Sequence, residues 1–337
     1  MIRNGLLAAG NFIIDIVKMI DAWPDQESLV HISTQERCNG GGAFNVLKDL
    51  ALIQVDFPLE AMGCLGKDEY GQIAINDLKA HNIDTSLMQY HPTEPTSFTD
   101  VMTVTATGKR TFFHNRGANR FFQVEDDLLK KSNAKIFYLA YLMLLDHMDS
   151  FSDGQTYAAK AFAKAKALGF ITATDIVSVR NESFPKVVSS SLPYVDYLFI
   201  NELEAELLTG IPLTNAGKIP DTDACISAGK LILDMGVNCW VILHFPHGAI
   251  ALNKAGEVVK QGSIKIPPEL IKGAVGAGDA FAAGTLAGIH QGSNMNECLK
   301  MGVVAAAACL QDASCSAGLK PLAQSLPLTE AYGFREL

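Results

Sequence analysis

The residues with the clearest chemical potential lie between Lys272 and Gly288, in the run KGAVGAGDAFAAGTLAG. Gly276, Ala277 and Gly278 can bring backbone N–H groups close to an oxyanion, because large side chains there would block the approach and only glycine takes positive φ freely. The helix that follows directs its positive end at the same spot. Such a turn could hold the oxygens of a phosphoryl group while Asp279 accepts the proton of an attacking hydroxyl, which is what alcohol phosphorylation requires. The same residues could instead form an ordinary N-cap after a Gly-rich loop. Ala280, Gly284 and Gly288 recur at a spacing of four, which leaves one helix face bare for a flat group or another helix.

Two further stretches carry polar groups at positions where a sheet could present them. Cys38-Asn39-Gly40-Gly41-Gly42-Ala43-Phe44-Asn45 opens a helix through about Ala51. Its glycines allow a ligand to lie against the backbone at the helix start, or simply a tight strand-to-helix turn. It is not a dinucleotide fingerprint, since Asn45 stands where the third glycine would be needed. Nor is Gly66-Lys67 a P-loop, because Asp68 replaces the Ser or Thr and no glycine lies five residues before Gly66. Asn201-Glu202-Leu203-Glu204 places a carboxylate just after an apolar run, which suits a water-mediated Mg²⁺ role near phosphates or an acidic first helical turn.

These groups need a frame, and the chain alternates in a way that supplies one. Leu6 to Ile14 is an apolar run expected to form a buried strand that delivers Asp15 at its carboxyl end, where open α/β sheets place ligand groups. Phe57 to Met62 is expected as a strand, followed by a Gly63–Gly71 loop and a helix to about His81. Ser97–Thr105 and Arg110–Asn115 flank Thr107-Gly108, a hairpin signal. Both faces of that hairpin carry mixed residues, which fits a flap over a site better than a central strand. From Lys135 onward, strand-like runs (136–140, 169–175, 194–200, 239–245) alternate with helical ones (153–168, 202–209, 223–235). That alternation predicts an α/β fold with a mainly parallel sheet between two helical layers. We expect one domain over 1–337, with a small β-lid formed by about 16–38 and 96–117.

The chain has 337 residues, 48% hydrophobic and 19% charged, enough for a large buried core. Its formal net charge of -9 argues against nucleic acid as the main partner. Seven cysteines without a C-x-x-C pair suggest reduced thiols in a cytoplasmic protein. Cys298, Cys309 and Cys315 are simplest as core residues. Asn11 and Asp15 interrupt any signal-like segment near the start, and no run is long and apolar enough to span a membrane.

In this order, the motifs resemble those of the PfkB carbohydrate kinases, the ribokinase-like family, over essentially the whole length. Gly40–Asn45, continuing to Gly63, Gly66 and Gly71, resembles the family's N-terminal signature. Gly276–Gly284 resembles its C-terminal one, and Asn201–Glu204 matches the N-x-x-E motif between them. The resemblance implies a three-layer α/β/α fold, ATP and Mg²⁺ as cofactors, and a monosaccharide as acceptor through a hydroxyl, taken here as primary. It assigns Asp279 as general base and Gly276 to Gly278 to the transferring phosphoryl group. It assigns Asp15, Gly41, Gly42 and Asn45 to the substrate, with Arg110, Phe112 and Asn115 as weaker candidates from the returning lid. Asn201 and Glu204 would organise Mg²⁺, and Gly248 would lie by the nucleotide with Gly276 and Gly278. Asp175 and Arg180 resemble a further family loop in which Val177 stands near the usual Asn. A homodimer through the lid is expected.

This chain departs from the family pattern at two places. Leu243-His244-Phe245-Pro246-His247-Gly248 replaces the common T-L-G-x-x-G loop that lines the nucleotide, so adenosine contacts there must differ. Gly273-Ala274-Val275 replaces the usual D-T-x, removing a carboxylate and a hydroxyl that in relatives serve a monovalent cation. Ser314, Ser316 and the backbone near Gly318 are the alternative oxygen sources. Phe112, Phe113, Phe121 and Phe122 keep a nucleoside kinase of the same fold as an alternative, and a catalytically silent binding regulator is the other.

Overall fold

The computed structural model describes residues 3–214, 220–312 and 315–337. Ser314 therefore lies outside the described residues. In chain order the elements are β1 (Leu6–Gly10), β2 (Ile13–Ile20), β3 (Ile32–Gly40), α1 (Gly42–Leu52), β4 (Leu59–Gly66), α2 (Glu69–Ala80), β5 (Gln89–His91), β6 (Phe98–Val104) and β7 (Arg110–Asn115). Then come α3 (Asp126–Lys131), β8 (Ile136–Leu142), α4 (Asp146–Asp149), the two-residue strands β9 (Phe151–Ser152) and β10 (Gln155–Thr156), α5 (Tyr157–Ala167), β11 (Ile171–Ile176), α6 (Phe184–Ser191) and β12 (Tyr197–Asn201). The remainder contains α7 (Glu202–Thr209), α8 (Thr222–Asp234), β13 (Trp240–Phe245), β14 (Gly248–Asn253), β15 (Val258–Gly262), α9 (Ala277–Gln291) and α10 (Met295–Cys309), followed by short helices near the end.

Nine strands form one sheet in the order β15-β14-β13-β12-β11-β8-β1-β4-β5. The pairs from β5 to β13 are parallel, and β14 and β15 add an antiparallel edge. Side chains alternate across a strand, and β1 shows the consequence. Leu6 and Ala8 join a core with Phe44 and Leu47 of α1 and Ala283 and Leu286 of α9. Leu7 and Ala9 join the opposite core with Phe162 of α5 and Ile232 of α8. These two cores make the three layers, so the expected fold class is observed. Among the described residues no helix is long and apolar enough to cross a membrane.

The apolar run 6–14 is not one strand. It breaks after Gly10, whose φ of 128° is open to glycine, and resumes in β2, so Asp15 belongs to a separate four-stranded sheet of order β3-β2-β6-β7. The run is mostly apolar because Ile13 and Ile14, which open β2, are as buried as β1. The 97–105/110–115 hairpin is present as β6 and β7. Gly63 to Gly66, expected as loop, continue β4. Asp68 then caps α2, accepting from Gly71 N at 2.8 Å, and ties the turn to the Thr96 hydroxyl at 2.7 Å and the Thr96 N–H at 2.7 Å. That part of the N-terminal motif is structural. The helix α6 and the edge strands β14 and β15 were not expected from the sequence.

Candidate active site

The strand order turns back between β1 and β8, with later strands added on one side and β4 and β5 on the other. Open α/β sheets leave a crevice at the carboxyl ends of the strands beside such a reversal. A cavity of about 490 Å³ lies there, walled by the ends of β8, β11 and β12, by the start of α9 and by the small sheet. Asp15, Gly41, Asn45, Asn201, Glu204, Gly276, Gly278 and Asp279 all line it. Segments more than two hundred residues apart in sequence thus meet around one space.

Asp279 sits in the first turn of α9, directly after Gly276, whose φ of 78° is left-handed. A Cβ on Gly276 would fall 2.5 Å from the Cys315 carbonyl oxygen, so both conformation and space require glycine there. The first N–H groups of a helix lack intrahelical partners, and at this helix Gly278 lines the cavity beside the carboxylate, whereas the Ala277 N–H donates to the Ala274 carbonyl at 3.4 Å. Burial raises the Asp279 pKa to about 6, while hydrogen bonds from Asn45 and Tyr141 pull it down. Asn45 Nδ2 donates to Asp279 Oδ2 at 2.7 Å. The Tyr141 hydroxyl donates to Oδ1 at 2.8 Å and lies 2.9 Å from Oδ2. Behind Asn45, Asn39 Nδ2 donates to Asn45 Oδ1 at 2.7 Å and lies 3.2 Å from Ser316 Oγ. The carboxylate is therefore held in one orientation with its anionic form favoured by two donors, as a proton acceptor near neutral pH should be.

Tyr141 and Asn39 were not among the site residues expected from sequence. Tyr141 is hidden in the apolar run IFYLAYL, and its placement depends on backbone detail. Its φ is 45°, unusual for a ring-bearing residue. The register of β8 against β11 slips between Thr174 and Ile176, next to Asp175, and such irregularities re-aim side chains at functional ends of sheets. Gly42 serves the same ring, since a Cβ there would meet Tyr141 Cε1 at 2.6 Å. Gly42 thus shapes the site without lining it. Replacing Tyr141 with Phe removes a donor that lowers the Asp279 pKa, so the base should protonate at higher pH. The acid limb of a kcat/KM profile is expected to move to higher pH in Tyr141→Phe. An unmoved limb would show that the phenol does not tune the carboxylate.

On the small sheet, Asp15 stands opposite Cys38 in the β2–β3 ladder. Burial raises its pKa to about 6, offset mainly by a hydrogen bond from Thr99 and with a small contribution from the Arg110 charge. Phe112 and His114 of β7 line the cavity, and strand parity places Arg110 on their face. Asn115 has the opposite parity, and its Oδ1 accepts from Gly117 N at 2.9 Å, away from the cavity.

At the other end of the cavity, Asn201 and Glu204 form a reciprocal capping box on α7. Glu204 Oε1 accepts from Ser178 Oγ and Asn201 Nδ2, each at 2.7 Å, and Oε2 accepts from Asn201 N at 2.9 Å. Burial raises the Glu204 pKa to about 7. Carboxylate, amide and hydroxyl oxygens are the hard donors Mg²⁺ takes, and the ion keeps much of its water. The set fits Mg²⁺ through those waters, because both carboxylate oxygens already accept hydrogen bonds from protein. His244 closes the floor, and its ring lies 5.3 Å from that of Phe281. Burial lowers its pKa to about 4, so it is a neutral imidazole beneath Gly278. Gly248 lies outside the cavity, at the start of β14, with a φ of 153° and no room for a Cβ beside Leu337. Ala277, the first residue of α9 and expected beside the phosphoryl group, does not line the cavity, and its N–H is turned to the Ala274 carbonyl.

A family model described as pfkB family carbohydrate kinase matches residues 8–321. The chain belongs to that family. PfkB members are phosphotransferases with alcohol acceptors, so this pfkB protein is a kinase acting on a sugar or a nucleoside. It is 27% identical to adenosine kinase 1 of Arabidopsis thaliana, over 84% of this chain and 81% of that protein. It is 26% identical to the ribokinase of the same plant, over 91% of this chain and 76% of that protein. Among solved structures, the fold is similar to Arabidopsis thaliana ribokinase complexed with ribose and ATP, with a TM-score of 0.79, 21% identity and coverage of 97% and 98% of the two chains. It is also similar to the nucleoside kinase of Burkholderia thailandensis in complex with inosine, with a TM-score of 0.74, 17% identity and coverage of 98% of each chain.

Proposed function

We propose that this pfkB protein transfers the γ-phosphoryl group of ATP to a primary hydroxyl of a monosaccharide, in the cytoplasm. The observation that carries this reading is the buried Asp279 carboxylate, oriented by Asn45 and Tyr141 at the start of α9 beside the left-handed Gly276. Asp279 takes the acceptor proton, and the first N–H groups of α9 face the oxygens of the transferring group. Asp15, Gly41, Asn45 and Arg110 form the polar acceptor wall. Asn201 and Glu204 would hold the waters of Mg²⁺, which when bound neutralises phosphate charge. Steady-state ADP release with ATP and Mg²⁺, measured over a panel of pentoses, hexoses, sugar acids and nucleosides, tests the assignment. A saturable response to one sugar supports it. A response to nucleosides alone would transfer it to the nucleoside kinase reading, which Phe112 at the cavity wall and the adenosine kinase relatives favour. No response to any member would count for the silent regulator.

Monovalent cation activation is expected to be weak. Gly273 and Ala274 offer carbonyls but no charge or hydroxyl, and Ser316 Oγ is already within hydrogen-bond distance of Asn39. Initial rates in potassium and tetramethylammonium salts at matched ionic strength should agree within about twofold, and a several-fold potassium stimulation would contradict this.

The small sheet is proposed as a lid that pairs two copies. Its β3 edge is open with Ile32 exposed on it, Leu29 is exposed in the segment just before, and Trp23 is exposed where it stacks on Phe113 of the β7 edge. Sedimentation is expected to show a dimer at micromolar concentration, and a monomer would remove the pairing.

A further inference from the structure

Three chemically matched donors lie together at the seam between the small sheet and the turn before α9. Asp15 and Cys38 are Cα partners in the β2–β3 ladder, and directly opposed residues project to the same face. Cys315, from the loop after α10, meets them there, and its backbone is the surface against which Gly276 is pressed. The carboxylate oxygen and the two sulfurs all lie within 4.8 Å of one another. Gly40 leaves room beside the Asp15 carboxylate, which a Cβ would enter. Asp15 and Cys315 also line the cavity.

We propose that Asp15, Cys38 and Cys315 bind a thiophilic divalent cation of the Zn²⁺ class, which clamps the small sheet to the turn at Gly276. Two sulfurs and one carboxylate oxygen are the donor set that Zn²⁺ selects, at about 2.3 Å for sulfur and about 2.0–2.2 Å for oxygen. A tetrahedral site with those bond lengths needs its donors under about 4 Å apart, so contraction by roughly 1 Å through χ rotation is sufficient. Mg²⁺, which prefers oxygen ligands, is rejected by the sulfurs. On binding, each thiol loses its proton to solvent, two metal–sulfur bonds and one metal–oxygen bond form, and water fills the fourth position facing the cavity. No electron is transferred. Because the metal occupies the Asp15 carboxylate, it should compete with the acceptor and not with ATP. That competition rests on the proposed role of Asp15, whereas metal binding itself does not.

The test uses untagged full-length protein under a non-chelating reductant, titrated with Co²⁺ and then Zn²⁺. We expect a near-ultraviolet thiolate-to-cobalt charge-transfer band, visible bands of tetrahedral intensity, and loss of both on adding Zn²⁺. Cys38→Ser and Cys315→Ser should each lose about half or more of the charge-transfer intensity, and Asp15→Asn should weaken Co²⁺ binding by about tenfold or more. Cys239→Ser, altered at a cysteine outside the cluster, should keep the full band. Circular dichroism confirms that each variant is folded. Absence of the band at saturating Co²⁺, or its survival in both cysteine variants, would overturn the site. So would thiol titration showing Cys38 and Cys315 joined as a disulfide in protein held under that reductant. A full band that no active acceptor diminishes would sustain the metal site and count instead against Asp15 as an acceptor-binding residue.

Discussion

Asp279→Asn is expected to lower kcat by about 10²- to 10⁴-fold, the span for removal of a general base, while acceptor binding and the fold persist. Asn retains the shape and can still meet Tyr141 and Asn45, so the loss isolates proton acceptance. In the wild-type protein the carboxylate, raised to about 6 by burial, must be ionised to act. Activity should therefore be full above that pH and fall as pH drops through it. The residual activity of Asp279→Asn should lack this limb. Turnover near wild type with a verified acceptor would remove Asp279 from the mechanism.

Gly276→Ala carries the other large effect, and a control separates its two causes. Gly276 and Gly292 share a φ of 78°, but a Cβ at Gly276 would strike the Cys315 carbonyl, whereas nothing lies within 4 Å of one at Gly292. Gly292→Ala should cost only the left-handed penalty of about 1–2 kcal/mol in stability and leave kcat unchanged. Gly276→Ala adds displacement of the turn, so the N–H groups move off the phosphoryl oxygens. A fall of about 10²–10³ in kcat is expected, the range for losing an oxyanion donor. Equal kcat values for the two variants would show that the turn's position does not matter to the chemistry.

What could be read from the chain follows how local each feature is. Asp279 and its glycines were legible because turn, helix start and acid occupy four consecutive residues, and the acidic first turn at Asn201–Glu204 was legible for the same reason, although its reciprocal capping box was not. The layered sheet was legible because buried parallel strands and helices alternate in hydrophobic pattern from Lys135 onward. Tyr141 was not, since its role needs a positive φ and a register slip between β8 and β11 that leave no compositional trace. His244 reaches the site only because β13 ends beneath Gly278. The placement of Asp15 in a central strand failed because Ile13 and Ile14, which open β2, are as apolar and as buried as β1. Strand parity alone could have separated Arg110 and Phe112 from Asn115, since an odd offset puts Asn115 on the other face.

Phosphorus NMR of a reaction with the acceptor found by the panel tests the central claim most directly. The account predicts that the γ-phosphate signal of ATP is replaced by a phosphomonoester resonance split by two methylene protons, in step with ADP and formed at least about a hundredfold more slowly in Asp279→Asn. Release of inorganic phosphate with ADP, and no phosphomonoester, would contradict it.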